Sequence, residues 1–390
     1  MAGNQKVKSK FNINQWLRFA DKGAKMDMPL LFITFVLLAF GLVMLYSASY
    51  VYGIYRFNGD SLHYIKDQAL FAAIGVVAML VASKVDYHIY RRYIVMLMII
   101  VYILLVVVLF MPAVNGCNRW IVIKNVGTFQ PSEIAKFAVI LMFANMIEKN
   151  YNKMQTLQYG IIPFGVILAS IVVLMYFQPH LSGIVIICAV GAIMMFIGGS
   201  DIKWFILAFL LLVVGIVAAL IIFPDSIRYA SSRIDTWLHP ENDLTAGGYQ
   251  SYMGRLAIGS GGLFGLGLGN SRQKHLHLPE GQNDFIFAII CEELGFVGGM
   301  LVIFLFLALF ARGIYIATRA KDKFGAMLVI GIIVQITLQA FLNIAVATGT
   351  IPNTGISLPF FSEGGTSLMM ILGEMGIVLS VSRYANLDRG

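Results

Sequence analysis

Apolar residues fill this chain in long blocks separated by short polar segments. Ten blocks stand out, at residues 28–49, 67–84, 93–111, 132–148, 158–177, 181–198, 204–223, 285–311, 324–345 and 366–384. Each comes near the ~20 residues that a helix needs to cross a ~30 Å hydrocarbon core. The second, fourth and tenth blocks are the weakest, being short or carrying charge. The pattern predicts an all-α integral membrane protein of ten transmembrane helices, residues 28–384. A cytoplasmic arm (1–27) precedes it, a tail (385–390) follows it, and a large extracytoplasmic loop (224–284) joins helices seven and eight. The first block follows a basic segment but is too long for a signal-peptide core and lacks a small-residue cleavage site, so it reads as a retained span.

Basic residues orient the spans. With the N-terminus inside, the cytoplasmic segments hold most of the 28 Lys and Arg, among them Lys6, Lys8, Lys10, Arg91, Arg92, Arg312, Arg319 and Lys323. The short outside loops hold only Arg56, Lys66, Arg119 and Lys124. Both termini are therefore expected in the cytoplasm. The net charge of +8 reflects this bias and gives no reason to expect a nucleic-acid partner.

Composition agrees: 59% hydrophobic and only 12% charged residues exclude an ordinary soluble domain. Cys117, Cys188 and Cys291 form no CxxC or metal-ligand spacing. Phe11, Ile13, Trp16, Leu17 and Phe19 lie among basic residues, suiting either an amphipathic segment on the inner leaflet or an ordinary tail.

The unusual polar sequence gathers in loops assigned to the outside. There the cell offers no ATP, and the chain has no GxxxxGK[ST] phosphate loop. A reaction at that face needs a substrate that arrives activated, such as a lipid diphosphate; an ion-driven transporter is the other class. The glycine-rich run 259–269 suits either a phosphate cradle or a turn at the membrane surface. Pro131-Ser132-Glu133 reads as a helix start, with Lys136 one turn on; the two charges suit a structural pair or a site lysine. Glu374 falls inside the tenth span, and Glu292-Glu293 in the eighth. Asp284 stands at the outer end of the eighth span. There it can cap the helix, or act as a general base whose pKa partial dehydration raises.

Together these residues resemble the SEDS family of bacterial cell-wall polymerases (FtsW, RodA, SpoVE), and its cell-division branch, FtsW, most of all. The resemblance runs through Tyr46-Ser47-Ala48-Ser49, Arg119-Trp120, Phe129-Gln130-Pro131-Ser132-Glu133 with Lys136, and Gly248-Tyr249-Gln250. It continues with Leu278-Pro279-Glu280, Asp284-Phe285-Ile286-Phe287, Glu292-Glu293-Leu294-Gly295 and Leu358-Pro359-Phe360, ending at Ser362 before Gly364-Gly365. Gly269-Asn270-Ser271 with Lys274 looks like the division or sporulation branch. The resemblance implies a peptidoglycan glycosyltransferase acting on lipid II and the nascent glycan strand at the bacterial cell membrane, during septal synthesis. Asp284 would be the catalytic base. Glu133 and Lys136 would lie in the cavity, Arg119, Arg233 and Lys274 would contact the diphosphate, and Glu280 would bind substrate. Nearby Arg or Lys side chains or a divalent cation, Mg²⁺ or Mn²⁺, would help the leaving group; no other cofactor is implied. Partners would be a class B penicillin-binding protein, which crosslinks the product, and other divisome proteins.

The chain departs from the family pattern at three places. His180 in Gln178-Pro179-His180-Leu181-Ser182-Gly183 stands where the family often has an acidic residue. Glu363 stands where Tyr is common, and Gln282-Asn283 replaces the usual His-Thr before Asp284. Two rival classes are a lipid II flippase, which needs polar access from both faces, and a non-catalytic scaffold of the division machinery.

Overall fold

The computed structural model describes residues 25–112, 118–123, 127–222, 234–242 and 247–385. Arg233 and the arm at 1–24 lie outside the described residues. Helices dominate: α1 Met28–Arg56, α2 His63–Lys84, α3 His88–Val107, α4 Pro131–Asn150, α5 Leu157–Gly160 and α6 Ile162–Tyr176. They continue as α7 Leu181–Ile197, α8 Ile202–Ile222, α9 Gly247–Ser260, α10 Ile286–Thr318, α11 Lys323–Ala347 and α12 Gly365–Tyr384. Every apolar block coincides with one of these helices, the fifth block being divided between α5 and α6 at Ile161 (φ −126°, ψ −55°). By length and apolar content, seven segments suffice to cross a membrane: α1, α2, α3 with its extension to Phe110, α5–α6, α10, α11 and α12. α7 and the described apolar part of α8 are shorter. α4, with Glu133, Lys136, Glu148 and Lys149, is more charged.

Local chemistry sets the boundaries. The Asp27 side chain accepts from Leu30 N–H at 2.8 Å and starts α1; Asp322 does the same for α11 through Gly325 N–H at 2.8 Å. Pro131 occupies the first turn of α4, where its missing N–H costs nothing. Large apolar side chains such as Phe32, Phe304 and Leu211 are 70%, 65% and 64% exposed, as expected where lipid is the solvent. α11 and α12 form the interior, being buried on most sides. α12 runs along α2 through small residues: a Cβ on Gly376 would meet the Met79 carbonyl oxygen at 2.5 Å, and one on Gly75 would meet Leu372 at 2.6 Å.

Two segments expected as loop are ordered. Ile121–Ile123 and Gly127–Phe129 pair as the antiparallel strands β1 and β2, with Val122 opposite Thr128. α9 lies within the segment 224–284, which is therefore not a continuous loop.

The glycine-rich run has its own explanation. α10 is broken at Gly295 (φ 68°, ψ −165°). The run docks onto that break: Phe296 and Val297 N–H donate to the Gly262 and Leu263 carbonyls, while Leu266 and Gly267 N–H donate to the Glu292 and Glu293 carbonyls. Gly265 (φ 79°) approaches so closely that a Cβ there would lie 2.1 Å from the Glu293 carbonyl oxygen. These backbone groups are engaged by the helix, so the phosphate-cradle reading of the run gives way to a structural one.

Candidate active site

A cavity of about 470 Å³ opens among α2, α4, α7, α11, the β1–β2 hairpin and the segments 280–284 and 355–367. Its lining is rich in charge for a helical bundle of this composition. Asp284, Glu133, Lys136, Arg119 and Glu280 all line it, so five of the seven residues singled out from sequence meet in one space.

Asp284 comes two residues before α10. Its position is fixed through backbone. Asn343 of α11 donates from Nδ2 to the carbonyls of Asp284 and Ile356, both at 2.7 Å. Next door, Ser362 Oγ donates to the Asn283 carbonyl at 2.6 Å, and Glu363 N–H to the Gln282 carbonyl at 3.1 Å. The segment 355–363 is thereby fastened to the residues that carry the carboxylate. α10 begins without a side-chain cap, so Asp284 does not cap it. Burial pushes its carboxyl up to about 6; Arg119 opposes the shift and Glu280 adds to it. A half-dehydrated carboxylate on a cavity wall can take a proton near neutral pH.

Lys136 and Glu133 form an ion pair at 2.8 Å on one face of α4, almost wholly buried. Lys136 also donates to Gln339 Oε1 at 2.9 Å, and Ser367 Oγ donates to Glu133 at 3.0 Å. Removing two charges from water is costly, and here the cost is offset by mutual attraction and by hydrogen bonds to Gln339 and Ser367. Structural pair and cavity lysine are thus one arrangement. Glu280, at φ 52°, accepts from Asn283 Nδ2 at 2.5 Å. Glu363 also lines the cavity, and burial, reinforced by Glu280, pushes it up to about 7.

Lys274 requires a correction. It does not reach the cavity. Its ammonium is fully buried against Glu293 at 2.7 Å and lies 3.3 Å from Ser47 Oγ. The adjacent Glu292 accepts from Ser271 Oγ and from Arg272 N–H at 2.9 Å. The charge of Lys274 neutralises a helix carboxylate and ties the segment before Asp284 to α10 and α1, away from the cavity lining.

Gln339 and Asn343 were not singled out from sequence. With Gln335 they form an i, i+4, i+8 stripe in an apolar helix, a pattern that marks one polar face. Gln335 donates to the buried Glu374 at 3.1 Å, a structural hydrogen bond in the interior.

Fold and site together define a multi-pass helical membrane protein with a charged cavity beside a carboxylate. Residues 28–387 match the family described as "Cell cycle protein" (FtsW/RodA/SpoVE), and the chain belongs to that family. Stage V sporulation protein E of Bacillus subtilis (strain 168) is 42% identical over 366 residues, covering 92% of this chain and 97% of the relative. A probable peptidoglycan glycosyltransferase FtsW of Geobacter sp. (strain M18) is 38% identical over 360 residues, covering 91% of this chain and 96% of the relative. Among solved structures, one described as "Structural coordination of polymerization and crosslinking by a peptidoglycan synthase complex" matches with a TM-score of 0.76 at 24% identity, covering 93% of this chain and 99% of that one. The Thermus thermophilus rod shape determining protein RodA matches with a TM-score of 0.67 at 24% identity, covering 93% of this chain and 98% of that one. At such identity these two structures speak to the fold.

Proposed function

We propose that the chain is a peptidoglycan glycosyltransferase that polymerises lipid II into glycan strands on the outer face of the cytoplasmic membrane, in septal wall synthesis. The observation that carries this reading is Asp284: a carboxylate with no hydrogen bond or ion pair among the described residues, on the wall of a cavity that also holds Arg119 and Lys136. Relatives named as probable peptidoglycan glycosyltransferases support the substrate class.

Asp284 takes the proton of the acceptor GlcNAc 4-hydroxyl. The freed oxygen forms a bond to the anomeric carbon of the donor MurNAc, with inversion. The bond from that carbon to the phosphate oxygen breaks, and its electron pair leaves with undecaprenyl diphosphate. With a pKa near 6 the base is largely ionised at pH 7 yet stronger than an ordinary aspartate. Cationic side chains lining the same cavity stabilise the charge that develops on the leaving diphosphate. Glu280 is assigned to substrate contact at the same wall.

A divalent cation would neutralise diphosphate charge. Among the described residues no group of three or more His, Cys, Asp or Glu gathers as a metal-ligand set. The substrate's own diphosphate would therefore supply much of its coordination, and no step above depends on it. We read the ten apolar blocks as ten crossings, and the Lys and Arg distribution supports both termini inside. The partner is a class B penicillin-binding protein within the divisome; a structure of a peptidoglycan synthase complex with this fold supports that pairing. The flippase alternative requires polar access from two sides, whereas the cavity's charged lining comes from segments that hydropathy assigns to one side. Purified protein with lipid II, with and without the transpeptidase and Mg²⁺ or Mn²⁺, tests the reading. Glycan strands are expected; lipid II left monomeric in every condition would refute it.

A further inference from the structure

His180, the residue before α7, lines the cavity and is only 7% exposed. Its Nε2 lies 3.3 Å from Gln130 Nε2. An amide nitrogen can only donate, so with the amide in this orientation the imidazole Nε2 accepts, and the single ring hydrogen of the neutral form belongs to Nδ1. The ring is neutral: burial, aided by Arg119, pushes it down to about 4, against the pull of Glu133. Nδ1 is buried with no partner. A buried donor left unpaired costs about 1–3 kcal/mol, so native structures seldom keep one without a ligand or water to satisfy it.

Two further donors share this cavity. Arg119 Nε is also buried without a partner. Lys136 directs N–H groups to Glu133 and Gln339, using two of its three. The cavity holds the cations Arg56, Arg119 and Lys136 among the carboxylates Asp67, Glu133, Glu280, Asp284 and Glu363; of the two donors left unpaired, the Arg119 guanidinium is cationic, and an anionic oxygen is its strongest acceptor. Arg119 acts electrostatically on both Asp284 and His180, which places its charge near the proposed base and near this imidazole.

We propose that His180 Nδ1–H, with Arg119 Nε–H, donates to oxygens of the substrate's prenyl diphosphate, making the His180 end of the cavity the seat of the leaving group. The inference rests on the glycosyltransferase reading above and adds a residue to it. When the anomeric bond breaks, the diphosphate gains negative charge, so a donor held in place there counts for more in the transition state than in the bound substrate.

The test uses full-length protein in detergent. It measures kcat and KM for lipid II polymerisation and the inhibition constant of undecaprenyl diphosphate. His180→Ala, His180→Asn, His180→Gln and His180→Asp are compared after thermal melts confirm folding. Asn places an N–H near the position of Nδ1, and Gln near that of Nε2. Loss of a hydrogen bond to a charged group should raise the inhibition constant about tenfold or more in the Ala and Gln variants. The Asn variant should stay within about threefold of wild type, and Asp should be weakest because it turns a donor into an acceptor beside an anion. Folded Ala or Asp variants with wild-type inhibition overturn the proposal. So does a change in kcat or KM with an unchanged inhibition constant, which would move the contact to the sugar. A wild-type protein that does not polymerise lipid II overturns the glycosyltransferase reading, and this proposal with it.

Discussion

Lowering the pH from 7 to 5 should reduce kcat/KM for lipid II polymerisation about tenfold, and the structure says why. Asp284 titrates near 6 because burial disfavours its charged form. The working base is the carboxylate, so activity rises with pH through that value and then levels. At pH 7 about nine-tenths of the molecules carry the carboxylate, and at pH 5 about one-tenth. An aspartate near its ordinary pKa of about 3.9 would stay over nine-tenths ionised at pH 5 and lose almost nothing. The neighbours move the limb in opposite directions. Arg119→Gln removes the cation that holds the pKa down, so the limb shifts to higher pH. Glu280→Gln removes an anion that raises it, so the limb shifts lower. Glu363, pushed up to about 7, also titrates in this window, and Glu363→Gln should leave the limb near 6 in place. Initial rates at subsaturating lipid II, with folding checked at each pH, give the profile. A flat profile between pH 5 and 7, or a limb that moves the same way in the Arg119 and Glu280 variants, would refute the base assignment.

Other outcomes follow from packing and pairing. Lys136→Met leaves Glu133 buried and uncompensated and should destabilise the protein by about 3–5 kcal/mol; adding Glu133→Gln should restore the melting temperature without restoring polymerisation. Lys274→Met should lower the melting temperature comparably, and the double variant with Glu293→Gln should recover most of it. A folded Lys274→Met protein with selectively weakened undecaprenyl diphosphate inhibition would return Lys274 to the substrate. Gly376→Ala forces α12 off the Met79 carbonyl and should cost about 1–3 kcal/mol, read as a lower melting temperature; an unchanged or raised value would contradict the close α2–α12 approach.

Much of the helical layout was legible because lipid imposes a simple rule: an apolar run of sufficient length must close its own backbone hydrogen bonds. Pro131 and the position of Asp284 beside a long apolar run were equally readable, since helix ends depend on neighbours in sequence. The stripe Gln335, Gln339 and Asn343 is spaced at helical intervals, but neutral amides in a span cost less to bury than charges and so mark a polar face less sharply. Lys274 could not be placed from sequence. Its partner Glu293 lies 19 residues away and Ser47 lies 227 away, so only the tertiary fold decides whether that ammonium faces solvent, substrate or a helix carboxylate. The glycine-rich run was ambiguous for a related reason. Glycines that permit close backbone approach look alike in sequence whether the approaching group is a phosphate or the broken turn of α10 at Gly295.

The central claim is that one carboxylate, facing the cavity at residue 284, removes the acceptor proton. The most direct measurement is glycan-strand formation from purified lipid II by Asp284→Asn protein, an isosteric change that keeps the backbone contacts of Asn343 and removes the base. Polymer should fall below detection while undecaprenyl diphosphate still binds and the melting temperature stays near wild type. Strands of wild-type length made at a wild-type rate would contradict the account.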